Sequence, residues 1–180
     1  MGREMTRRLP VVGVMGSADV AHTDKAAPLG RWLASLPVHL LTGAGGGVME
    51  AVSRAFQARP GRAGLVVGIA PCGDDPGVPR PGYPNPFVEL AILTHLPLSG
   101  ELGTDPMSRN HINVLSSNVL IALPGGNGTS SEVALAVRYH RPIVAFVDTR
   151  SDIPALPDTV PAVTELSEVQ EFVKRILAGS

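Results

Sequence analysis

The chain has 180 residues, with 15 basic side chains against 16 acidic ones, and only 4% of it is aromatic. That length can bury a core without covalent staples, so one domain over residues 1–180 is expected, with residues 1–9 flexible. The near-neutral charge excludes a duplex-binding surface and the scarcity of rings excludes a stacking platform, so no nucleic-acid partner is expected.

Arg3, Arg7 and Arg8 open the chain, but Pro10 and Gly13 interrupt the apolar run behind them, so the start does not read as a signal peptide. No apolar run approaches the ~20 residues that span a bilayer, and a cytoplasmic protein without a membrane partner is expected. Residues 11–15 read as a buried strand ending in Gly16 and Ser17. A helix over 26–36 carries Leu29, Leu33 and Leu36 at helical spacing and stops at Pro37. A strand at 38–42 runs into Gly43-Ala44-Gly45-Gly46-Gly47, and a helix over 48–58 places Val48, Val52 and Phe56 on one face.

A third strand, 65–70, leads to Cys72, the only cysteine, which excludes an internal disulfide and any multi-thiolate zinc site. Residues 72–85 hold four prolines (Pro76, Pro79, Pro81, Pro84) and three glycines, the composition of a rigid surface loop that could serve as a lid. A weaker strand is expected at 90–96. Asp105-Pro106 reads as an N-cap with proline in the first turn, opening a helix to Ser116. Ile112 and Leu115 would be its packing face, with Asn110 and Asn113 its polar groups. Strand 119–123, helix 129–139, strand 143–147, an edge strand at 160–163 and helix 168–177 complete the chain.

Short, continuous apolar strands alternating with helices call for an α/β fold: a doubly wound, mainly parallel sheet of six to seven strands covered on both faces. In such a sheet the ligand crevice lies beyond the carboxyl ends of the strands. The glycine-rich turns fall at those ends. The first, 43–47, suits either close approach of a ligand or tight helix–sheet packing. The second, Pro124-Gly125-Gly126-Asn127-Gly128-Thr129, is the stronger anion site. Its glycines can take backbone angles closed to other residues, so successive amides converge on a phosphate, and the helix start and the Thr129 hydroxyl add to them. It has no lysine, which disfavours a triphosphate and favours a monophosphate.

Glu132 comes after Thr129 at the spacing of a capping box, and it is equally placed to serve a ribose whose 5'-phosphate fills the nest. Arg109 is either the cation that draws that ligand in or a solvated helix residue. His111 has no identifiable partner, and His22, His39, His95 and His140 are too scattered for a metal site, so none is expected. Asp19, Asp24, Asp74 and Asp75 read as solvated loop charges.

These residues resemble the superfamily once labelled lysine decarboxylases, which holds the Lonely Guy cytokinin-activating phosphoribohydrolases and the molybdenum cofactor carrier proteins. The resemblance runs from Val11 to about Val147. Pro124-Gly125-Gly126-Asn127-Gly128-Thr129-Ser130-Ser131-Glu132 matches the family's second glycine motif, and Thr42-Gly43-Ala44-Gly45-Gly46-Gly47-Val48-Met49-Glu50 matches its first more loosely. It implies a Rossmann-like fold, with Arg109 and Glu132 as the catalytic pair of the hydrolases. It implies phosphate on Gly125, Gly126, Asn127, Gly128 and Thr129, and further ligand contacts from Gly16, Ser17, Gly43, Gly45, Gly46, Gly47, Met107 and Asn110. The reaction implied releases a free base and ribose 5-phosphate, with no redox cofactor and no protein-bound metal.

Four departures bear on that reading. Asn110 replaces the lysine after the arginine, the Met107-Ser108-Arg109-Asn110 element is one residue shorter than the family's, Asn127 stands where an aromatic is common, and Ser130-Ser131 replaces a Leu-Glu pair. The Arg109-Asn110 pair and the Gly47-Val48-Met49-Glu50-Ala51 helix start are closer to the carrier branch, whose members bind the molybdenum cofactor without turning it over. Two readings result, a nucleoside-monophosphate N-glycosidase and a carrier of a phosphorylated pterin or nucleotide. Both imply a homo-oligomer, a dimer or tetramer.

Overall fold

The structure, a computed structural model, describes residues 8–75 and 77–179, so most of the segment expected to be flexible lies outside it, as does Pro76. Seven strands, β1 (Val11–Met15), β2 (His39–Thr42), β3 (Val66–Pro71), β4 (Leu90–Thr94), β5 (Val119–Ala122), β6 (Ile143–Phe146) and β7 (Ala162–Val163), form one sheet. Its order is β4-β3-β2-β1-β5-β6-β7, and every neighbouring pair is parallel. Chain order reverses direction beside β1: β2 to β4 lie on one side of it and β5 to β7 on the other. The crevice expected of such a sheet therefore opens beyond the ends of β1 and β5.

The helices are α1 (Thr23–Leu33), α2 (Gly47–Gln57), α3 (Asn110–Leu115), α4 (Asn127–Arg138) and α5 (Leu166–Ala178). Alternate strand residues enter two cores. Val12, Val14 and Ile121 pack with Leu29, Leu33, Phe56 and Val173 under α1, α2 and α5. Met15, Leu120 and Ala122 pack with Val114, Val133 and Leu135 under α3 and α4. Apolar groups are thus needed on both faces of each central strand, which is why those strands read as unbroken Val, Leu and Ile runs rather than as an alternation. At the edge β4 needs neither face, and Leu90, Ile92 and Leu93 are exposed.

Helices α4 and α5 each begin two residues before the expected start, and two other helices differ further from the sequence expectation. Helix α1 begins at Thr23, before the expected start, because the His22 carbonyl accepts the Lys25 and Ala26 amides; Pro28 then lies inside the helix. Helix α3 is shorter than the expected run from Asp105. The Asp105 carboxylate accepts the Met107 amide at 2.8 Å and its carbonyl accepts the Ser108 amide, closing local turns, and the N-cap is Arg109. The packing face of α3 is only partly the expected one. Ile112 packs against the core as expected, but Leu115 is exposed, and Asn110 and Asn113 are buried with Val114.

Candidate functional site

The loop after β1 joins the two glycine turns. The Ser17 amide donates to the Pro124 carbonyl at 3.0 Å, and the Ser17 carbonyl accepts the Val48 amide at 2.9 Å. Ser17 Oγ accepts the amides of Asp19 and Val20. Such close passage leaves no room for side chains. Gly47 has φ +57, and a Cβ there would overlap the Ser17 carbonyl; a Cβ on Gly125 would overlap Thr129 Oγ1. Glycine at 125 is therefore required by packing. None of Gly125, Gly126 and Gly128 has a positive φ, which corrects the expectation that this loop uses glycine for its backbone angles.

A cleft of about 360 Å³ opens over these turns. Its wall includes Gly126, Asn127, Gly128 and Thr129, the start of α4. The first-turn amides of a helix have no partner within it, and the first intrahelical bond of α4 is from the Ser130 amide to the Gly126 carbonyl. The Gly125 amide is not one of the available donors, because it donates to the Asp152 carbonyl at 3.0 Å. The Asn127 side chain is engaged as well, with Nδ2 donating to Glu101 Oε1 at 3.0 Å. The anion-ready part of the loop is thus the run of amides at the helix start, with the Thr129 hydroxyl beside them.

Arg109 is buried, not solvated. Its Nη1 donates to the carbonyls of Gly43 and Ile69, each at 2.7 Å, and its guanidinium lies 5.3 Å from the Tyr83 ring centroid. It ties α3 to the ends of β2 and β3. Glu132 is also buried, and it caps nothing. The N-cap of α4 is Gly126, with no side-chain cap, which overturns the capping-box reading from spacing. Instead Glu132 Oε1 accepts from Asn113 Nδ2 at 2.8 Å. Burial pushes its carboxyl up to about 7, against the opposing pull of the Asn113 hydrogen bond and the Arg109 charge. Two polar atoms on the same wall are buried without a partner: Asn110 Nδ2 and Asn113 Oδ1.

Of the residues expected at the site, Gly16, Ser17, Gly43 and Asn110 line the cleft together with Arg109, Glu132 and the α4 start. Gly45, Gly46, Gly47, Gly125 and Met107 do not line it; Gly47 and Gly125 shape it from behind, and Met107 is exposed. His111, expected to lack a partner, has two: Nδ1 is 2.7 Å from the Tyr139 hydroxyl and Nε2 is 2.9 Å from the Asp105 carbonyl. Sequence reasoning missed Met49, Tyr83, Gly100 and Glu101 as wall residues, and read Asp19 as a loop charge although it stands on the rim. Tyr83 lies in an irregular segment and Glu101 in a short 3-10 turn, outside both glycine motifs and the Met107-Ser108-Arg109-Asn110 element, so no local pattern marks them.

A model of the SLOG cluster4 family matches residues 9–173. The chain belongs to that family. A protein from Archaeoglobus fulgidus, described only as uncharacterized, is 32% identical over 141 residues, which are 77% of this chain and 81% of the relative. Among solved structures, this family member is similar to the Moco carrier protein of Chlamydomonas reinhardtii, with 30% identity, a TM-score of 0.71, and coverage of 96% of this chain and 100% of that one. It is similar to the molybdenum cofactor binding protein of the phototrophic bacterium Rippkaea orientalis as well, with 30% identity, a TM-score of 0.72, and coverage of 96% and 99%. Among the described residues, no group of three or more His, Cys, Asp or Glu side chains is placed to hold a metal ion, and no helix is long and apolar enough to cross a membrane.

Proposed function

We propose that this protein binds and holds a small monophosphorylated heterocycle of the molybdopterin type in the cleft at the α4 start, without turning it over. The observation that carries this reading is the state of Arg109. The cation that a hydrolase would turn toward the ribose has its Nη1 bound to two backbone carbonyls, and it braces the cleft floor. The amides of Asn127, Gly128 and Thr129 would take the phosphate. The buried, unpartnered Asn113 Oδ1 on the wall fits a ligand that brings its own donors to the cleft. The likeness to two proteins named for the molybdenum cofactor supports the same choice. The cofactor is cargo in this reading.

The N-glycosidase is the second reading, and one observation favours it. Glu132 lies in the cleft rather than on a cap, with its carboxyl raised to about 7, suited to proton transfer at neutral pH. One experiment separates the two. The protein is incubated with the released molybdenum cofactor and, in parallel, with a panel of nucleoside 5'-monophosphates. Bound pterin is read after gel filtration by oxidation to its fluorescent form, and free base by chromatography. The carrier reading expects co-elution of the pterin and no base. Base release that disappears in Glu132→Ala would establish the hydrolase instead.

A further inference from the structure

The cleft that is built for an anion is poor in positive charge. Arg109 is the one cation among its described wall residues, against the acids Asp19, Glu101 and Glu132. Arg109 and Glu132 are buried at its floor, whereas Asp19 and Glu101 are exposed at its mouth. The Glu101 carboxylate is held in place, accepting from Asn127 Nδ2 at 3.0 Å, on the first residue of α4. The backbone that carries Asp19 is fixed by its amide, which donates to Ser17 Oγ at 3.2 Å, and its exposed side chain stands on the rim. The turn carrying Glu101 is pinned to the same helix, since Ser131 Oγ donates to the Gly100 carbonyl at 2.8 Å. Two carboxylates from different loops therefore share the mouth with the α4 amides. Independently of that helix start, the wall residue Asn113, 1% exposed, has its Oδ1 buried without a partner, a polar group left for a ligand to meet.

We infer that Asp19 and Glu101 are specificity-determining residues that limit the charge of the ligand, admitting a single phosphate and turning away diphosphates and triphosphates. The first phosphate is met by amides and a hydroxyl, and its charge is favoured by the helix start. A second phosphate adds negative charge at a mouth that offers two carboxylates and no further cation. Its binding is opposed by like-charge repulsion, a selection that acts against the wrong ligand rather than for the right one. Both acids are exposed, so the repulsion is screened by salt. This inference rests on reading the cleft as a phosphate site, but not on the heterocycle being a pterin.

The test is calorimetric titration of the full chain with inorganic phosphate and with pyrophosphate. It compares wild type, Asp19→Asn, Glu101→Gln and the double variant at low ionic strength, and repeats wild type in high salt. Wild type is expected to bind phosphate roughly tenfold or more tightly than pyrophosphate. Each single variant should narrow that ratio, the double variant should bring it to about twofold or less, and high salt should narrow it in wild type. The amide substitutions keep size and hydrogen bonding at exposed positions, so melting temperatures serve as the folding check. Equal or tighter binding of pyrophosphate by wild type would overturn the inference, as would a ratio unchanged in the double variant or no binding of either probe. If the phosphate preference holds while the pterin fails to co-elute, the carrier reading alone falls.

Discussion

Glu132 sits between opposed influences, and they make its charge the variable of the site. Burial disfavours its carboxylate, while Asn113 and Arg109 favour it, and burial is the largest of the three. The folded value, about 7, lies above the ordinary 4.5, so the folded protein holds this proton over a range where the unfolded chain has lost it. The stability that comes from binding it is complete below about 4.5 and is lost as pH rises through about 7. Across that window it amounts to something on the order of 3 kcal/mol. Urea unfolding at pH 5 and pH 8 should therefore show wild type losing more stability on the way up than Glu132→Gln, whose amide does not titrate. Equal losses in the two proteins would mean that Glu132 is solvated. The same residue shows where spacing misleads. Thr129 and Glu132 stand at capping-box distance, but the helix starts at Asn127, so neither occupies the position the motif requires.

At the scale of elements, the site is a consequence of how tightly three loops cross. Ser17 binds both glycine turns, and Gly47 supplies a left-handed residue where the chain passes against the Ser17 carbonyl. Replacing Gly47 by alanine combines the left-handed penalty with steric overlap against backbone, a cost of roughly 3 kcal/mol or more. Gly61, at φ +69, has nothing within 4 Å of the added methyl and should lose only about 1 kcal/mol. Denaturant titration of the two variants checks this, and similar losses would show that the crossing adds nothing. Helix α3 was the least legible element. Its Asp-Pro pair resembles a helix start, yet the Asp105 carboxylate is taken by a local turn and the helix opens at Asn110. Its buried side is shared, with Ile112 and Val114 on the core and Asn110 and Asn113 on the cleft, a division that an apolar periodicity cannot report.

For the whole molecule, the strands and their parallel order derive from the length and continuity of the apolar runs, and the position of the cleft derives from the reversal at β1. Those features are long and repeated, so they are visible in the chain. The mouth of the cleft is not, because Asp19, Tyr83 and Glu101 reach it from loops and a short 3-10 turn whose placement depends on the finished sheet. The central claim is that the α4 start and the α3 asparagines hold a monophosphorylated heterocycle intact. A backbone and side-chain amide titration by nuclear magnetic resonance with molybdopterin tests it in one experiment. The largest shifts should fall on the amides of Asn127, Gly128 and Thr129 and on the side chains of Asn110 and Asn113, with the ligand recovered unchanged. Shifts confined to other surfaces, or recovery of a cleaved ligand, would contradict it.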